Sequence, residues 1–148
     1  MNPSELQVYL YEQIPMAKAL GILVKKVELK CIILQAPLDV NINHKKTVFG
    51  GSLYSIATLA CWSLAFLNAK QLNIKCEIVI SKGEIDYKSP VTGDFEVTCQ
   101  IEDEKAYAQF CDRLTKRNLS RLSLTAQIQE KGLIAVEYKG DFVAIRKS

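Results

Sequence analysis

At 148 residues the chain fits one domain, residues 1–148, long enough to bury a core without covalent staples. A formal charge of +3, with 49% hydrophobic and 24% charged residues, excludes a disordered or fibrous chain. Basic residues are scattered, with tight pairs only at Lys25-Lys26, Lys45-Lys46 and Lys116-Arg117, which excludes a dedicated nucleic-acid surface while suiting a ligand with a few phosphates.

The opening "MNPSELQVYLYEQIP" lacks a basic stretch followed by an apolar core, so no secretion signal is expected. Ser4 to Ala19 predicts a short amphipathic helix capped by Ser4, with Leu6, Leu10 and Ile14 at spacing four. Pro15 disturbs that pattern, so the helix either runs on or gives way to one more turn ending at Gly21. Ile22 to Ala36 is rich in Val, Ile and Leu and predicts one long or two short strands, closed by Pro37. "PLDVNINHKKTVFGG" follows as a polar loop, longer than the usual connection. Loops of that length in a compact domain are commonly functional.

Gly51 to Lys70 contains no Asp, Glu, Lys or Arg until its last residue. Apolar residues fall on every side, so the helix it predicts is buried all round or nearly so. The run is long enough to span a membrane. Ser52, Ser55, Thr58, Ser63 and Asn68 interrupt it, and half-buried strands follow, so a core helix and no membrane contact are expected. "CEIVISKGEIDYKSP" predicts a strand whose alternation stumbles at Gly83, where a bulge is expected. "DFEVTCQIE" alternates cleanly, and "RLSLTAQIQE" does the same before turning at Lys131-Gly132 into "LIAVEYKGDFVAIR". Asp103 to Asn118 predicts a short helix with Ala106, Phe110 and Leu114 near one face. An antiparallel sheet with one buried helix must curl around that helix, which gives an α+β fold.

The cysteines, Cys31, Cys61, Cys76, Cys99 and Cys111, are odd in number and hold no C-x-x-C pair. No metal site is expected, and reduced, mostly buried thiols in a cytoplasmic protein are. His44 is the one histidine, so a mechanism needing two is excluded within one subunit.

"NINHKKTVFGGSLYSIA" resembles the signature of hotdog-fold acyl-CoA thioesterases, in which a sheet of five to six strands wraps one long helix. In the phenylacetate-pathway type an Asn precedes a loop ending in His-Gly-Gly, and the helix opens x-L-F-S-L-A-D. Asn43, Thr47, Gly50, Gly51, Leu53, Tyr54, Ser55, Ile56 and Ala57 fall in step with that pattern. "YKSPVTGDFEV" is similar to the hotdog Y-x-x-P-V-x-G-D turn. A Trp in the helix, together with T-x-FGGSLY, looks like the thioesterase-like domains of YiiD C-terminal type. The resemblance implies an acyl-CoA or acyl-carrier thioester as substrate, coenzyme A only as part of that substrate, no separate cofactor, and a homodimer or dimer of dimers.

Site residues follow from the resemblance position by position. Gly50 and Gly51 would form the oxyanion site, while Asn43 and Thr58 would position water. Thr58 stands where related enzymes carry an acid and Phe49 where they carry His. A threonine hydroxyl is a very weak base, so the same motif also fits a non-catalytic acyl-thioester or small-ligand binding protein. His44, Phe49 and Tyr54 are candidate substrate contacts, and Lys88 a candidate partner for a coenzyme A phosphate. The bland alternatives are an Asx turn for Asn43, exposed loop positions for His44 and Lys88, and core packing for Cys61 and Trp62.

Overall fold

A computed structural model describes residues 1–147. Helix α1 covers Pro3–Gln13 and begins two residues earlier than a cap at Ser4 would place it. Asn2, not Ser4, is the cap: its side chain accepts the Glu5 N–H at 2.9 Å while Glu5 accepts the Asn2 N–H at 3.1 Å. Pro3 explains the choice, because proline suits the first helical position and fixes Asn2 just outside it. Pro15 then ends α1 and opens a separate turn, α2 (Pro15–Ala19), which leads to Gly21 at φ 72°.

Two short strands follow, β1 (Leu23–Glu28) and β2 (Cys31–Ala36), and then the long helix α3 (Gly50–Gln71). The rest is β3 (Cys76–Tyr87), β4 (Phe95–Gln100), α4 (Glu104–Lys116), β5 (Leu119–Glu130) and β6 (Leu133–Arg146). The strands form one six-stranded sheet in the order β1-β2-β4-β5-β6-β3, antiparallel at every pairing. Lys131 and Gly132 both have positive φ, which is what a two-residue hairpin demands between β5 and β6.

The sheet curls so that its inner residues meet α3. Ile32, Leu34, Val97, Cys99, Leu124, Ile128 and Val136 are buried there, against Ile56, Ala60, Cys61 and Leu64 of the helix. By length and composition α3 could cross a membrane, and here its apolar sides are instead enclosed by strands. Burial is not complete all round, as the uncharged run predicts. Tyr54, Ser55, Thr58, Trp62 and Phe66 form a half-open stripe at helical spacing. The reason is topological: β3 is the last strand, and nothing continues the sheet past it. Tyr9 of α1 covers the far end of the stripe, stacking on Phe66 with ring centroids 4.4 Å apart.

β3 does carry a bulge, although not at Gly83. Ile80 faces Phe142 and Lys82 faces Asp141, so Ser81 is the extra residue. Gly83 pairs instead with Gly140 of β6, and both glycines make room for tyrosines. α4 starts at its Asp103 cap and buries Phe110 and Leu114 as the spacing predicts, while Ala106 stays partly open.

The loop between β2 and α3 is pinned by a residue that sequence reading passes over. Asn41 is buried, and its Nδ2 donates to the carbonyls of Leu20 (2.9 Å) and Pro37 (2.8 Å). Its own carbonyl takes the Phe49 N–H at 2.7 Å, which fixes where α3 begins. Asn41→Ala is expected to strip both carbonyls of a donor and destabilise the fold by about 2 kcal/mol, read as a lower urea midpoint with unchanged slope.

Candidate active site

Phe49 sits at φ −59°, ψ 132°, outside the helix, and its carbonyl accepts the N–H groups of Ser52 (3.0 Å) and Leu53 (3.2 Å). That leaves the amides of Gly50 and Gly51, which donate to no group among the described residues. Both stand at the positive end of a helix 22 residues long. A Cβ on Gly51 would lie 2.5 Å from the Phe49 ring, so glycine is what lets Phe49 fold back over the helix start. At Gly50 a Cβ would meet the Tyr87 ring at 3.4 Å, an ordinary contact. The Tyr87 hydroxyl donates to the Gly50 carbonyl at 2.9 Å and ties the first turn of α3 to the end of β3.

Two turns further, Thr58 Oγ1 lies 2.9 Å from the Tyr54 carbonyl and 2.8 Å from the Tyr138 hydroxyl. A threonine has one proton to give. With that proton on the Tyr54 carbonyl, Tyr138 is the donor in the second bond. The tyrosines meet edge to face at 5.4 Å, and the glycine pair receives their hydroxyl ends. A Cβ on Gly83 would stand 1.9 Å from the Tyr54 hydroxyl, and one on Gly140 2.8 Å from that of Tyr138.

Burial pushes the Tyr138 phenol up from 10.0 to about 12, against a smaller downward pull from the Thr58 hydrogen bond. The phenol is therefore a neutral donor, not a base, at neutral pH. Its raised pKa contributes stability that is complete below pH about 10 and lost as pH climbs through about 12. Tyr138→Phe is expected to flatten that alkaline loss, which pH-dependent thermal melts would measure.

Asn43 is committed to its own loop. Its Oδ1 accepts the N–H groups of Lys45 (2.9 Å) and Thr47 (3.1 Å), and Nδ2 donates to Thr47 Oγ1 (2.9 Å). One Nδ2 hydrogen remains uncommitted. His44 is exposed beside Lys45 and Lys46. Lys88 is half exposed, with its Nζ 3.6 Å from the Glu137 carboxylate, a surface pair of little energetic weight. Cys61 is fully buried, and burial raises its thiol well above the ordinary value, so it packs as a small hydrophobe.

The structure thus gathers Phe49, Gly50, Gly51, Tyr54 and Thr58 at the start and along the first three turns of α3. No hydrogen bond joins Asn43, His44 or Lys88 to that group among the described residues. Sequence reading misses Tyr87 and Tyr138 as contacts of the site. The available signal was Gly140, since a glycine inside a strand marks a bulge or a close approach by another group. Beside Thr58 lies an apolar groove of about 490 Å³ between α3, α2 and β3.

A curled antiparallel sheet wrapped around one long helix, with glycine amides free at the helix start, is a hotdog fold of thioesterase type. The family model described as "Putative thioesterase (yiiD_Cterm)" matches residues 3–146, and the chain belongs to that family. A solved protein of unknown function from Chlorobaculum tepidum is 29% identical, with 99% of this chain and 98% of that one covered and a TM-score of 0.89. A structure named as a putative thioesterase from Shewanella oneidensis is 26% identical over 97% and 96% of the two chains, with a TM-score of 0.86. A probable thioesterase from Pseudomonas aeruginosa, 20% identical over 98% and 97% with a TM-score of 0.81, shares the fold.

Proposed function

We propose that the protein hydrolyses acyl thioesters, acyl-CoA or an acyl carried on a protein pantetheine, at the N-terminus of α3. The observation that carries this reading is the pair of unpartnered amides at Gly50 and Gly51. As water adds to the thioester carbon, the carbonyl oxygen gains negative charge, and donors already aimed at that point stabilise it. The C–S bond then breaks; the acyl carbon keeps the water oxygen, and the departing thiolate takes a proton to become free thiol. Thr58 Oγ1, its proton given to the Tyr54 carbonyl, keeps one lone pair that can accept from water, and the remaining Nδ2 hydrogen of Asn43 can donate to it. Neither removes a proton efficiently, so turnover is slow by thioesterase standards. Assembly as a homodimer through the open edge of β3 would bring a second chain's loop beside each helix start.

One observation favours a second reading, a binding protein without turnover. The Thr58 hydroxyl is already engaged by the Tyr54 carbonyl and by Tyr138. Free thiol released from a series of acyl-CoAs, measured beside their affinities by calorimetry, separates the two. Release that scales with protein concentration supports the hydrolase; tight binding with release no faster than in buffer leaves only the binding protein.

A further inference from the structure

The groove beside Thr58 has a direction. Gly51, Ser55, Thr58 and Trp62 succeed one another at steps of four, three and four residues, so they share one face of α3. The groove's polar lining residues, Tyr54, Ser55 and Thr58, all lie toward the glycine end. The other walls are apolar, from Leu59 and Trp62 on the helix, Ile14 and Leu20 around α2, and Ile78 and Ile80 on β3. Among the described residues no charged one lines it.

Trp62 is held in place at the far end. Its Nε1–H donates to the Ile78 carbonyl at 2.8 Å, bridging α3 to β3. Its ring stacks on Phe66 with centroids 5.3 Å apart and planes 8° from parallel, and Phe66 in turn stacks on Tyr9. An indole fixed by a hydrogen bond and backed by two rings is a wall, not a flap.

Resting on the acyl-thioester reading, we infer that this groove takes the acyl chain and that Trp62 sets its maximum length. The occupant is a straight, saturated chain. Gly51 to Trp62 is eleven residues of helix, about 17 Å of rise. An extended alkyl chain advances roughly 1.3 Å per carbon, from single bonds of about 1.5 Å, so about thirteen carbons fill that length. Because Gly51 heads the helix face that carries Ser55, Thr58 and Trp62, the ligand would lie with its carbonyl at Gly50 and Gly51 and its methyl against the indole. A charged or branched polar occupant finds no partner along these walls.

Trp62 is the only tryptophan in the chain, so its emission reports on the groove alone. The probes are non-hydrolysable S-alkyl coenzyme A thioethers of increasing chain length, with affinities by calorimetry and, for wild type, Trp62 emission. Affinity is expected to rise about fourfold with each buried methylene and to stop rising at about thirteen carbons, with emission changing over the same range. Trp62→Ala is expected to move that plateau several carbons longer, and Trp62→Phe, which keeps the stack, by a smaller step. Affinity that climbs through palmitoyl length in wild type overturns the inference, as does a plateau that Trp62→Ala leaves in place. Emission that follows protein concentration and ignores the probes also overturns it, because a second copy of the chain then fills the groove. Thiol release from acyl-CoA is measured separately. A plateau without release removes the hydrolase reading and leaves the groove, while release without a plateau does the reverse.

Discussion

Gly50→Pro is expected to lower thiol release from acyl-CoA by ~10²–10³-fold, by analogy with loss of one donor from other oxyanion sites, and to leave the fold as stable as before. The helix tolerates the change for reasons visible at its first turn. Gly50 is the first helical residue, where proline's fixed φ is already right and its missing N–H has no partner to lose. Phe49, at φ −59° and ψ 132°, has the extended backbone that a residue before proline prefers. Proline therefore deletes the amide without disturbing what surrounds it. Gly50→Ala is the matched control. It keeps the amide, its Cβ meets Tyr87 at an ordinary 3.4 Å, and its rate should stay within a few-fold of wild type. Stopped-flow thiol detection with thermal melts on both variants separates a lost donor from a lost shape.

Thr58→Asp is expected to raise turnover by ~10² or more, the lower end of what a positioned general base contributes. Tyr138 prepares the position for a carboxylate. Its hydroxyl already lies 2.8 Å from the side-chain oxygen at this position and is held neutral, so it would donate to a carboxylate there. That bond favours the charged form and orients it, while the half-open stripe leaves water within reach. Activity of the variant should grow with pH as the new carboxyl ionises, a limb that wild type lacks. A pH–rate profile of the two proteins gives the answer. Equal rates at every pH would mean that the helix face at Thr58 does not see the reacting carbon.

The contrast between these two residues shows what a sequence discloses and what it hides. The uncharged run from Gly51, the clean alternation around Val97 and Leu124, and the turn at Lys131-Gly132 are local patterns, and each became the element it predicted. The glycine pair was legible because a helix start is also local. Thr58 was legible only as a missing acid. Its actual partner, Tyr138, lies 80 residues away, and in "AVEYKGDF" only Gly140 hints at a close approach, without saying by what. Gly83 is the instructive error. A glycine that interrupts a strand signals either an extra residue or a visitor, and here the visitor is Tyr54 while Ser81 holds the bulge. The stripe from Tyr54 to Phe66 escaped for a related reason. Periodicity shows that a helix is apolar on all sides, and only the position of β3 as the sheet's last strand decides which side stays open.

Polarisation of the thioester by the amides at Gly50 and Gly51 is the claim on which the rest stands. Infrared difference spectra of an acyl-CoA isotopically labelled at its carbonyl carbon, recorded bound to wild type and to Gly50→Pro, test it without relying on turnover. A carbonyl stretch moved to lower frequency on binding wild type, and largely restored toward its free value in Gly50→Pro, is the predicted result. A bound carbonyl that absorbs where it does in water, the same in both proteins, would contradict it.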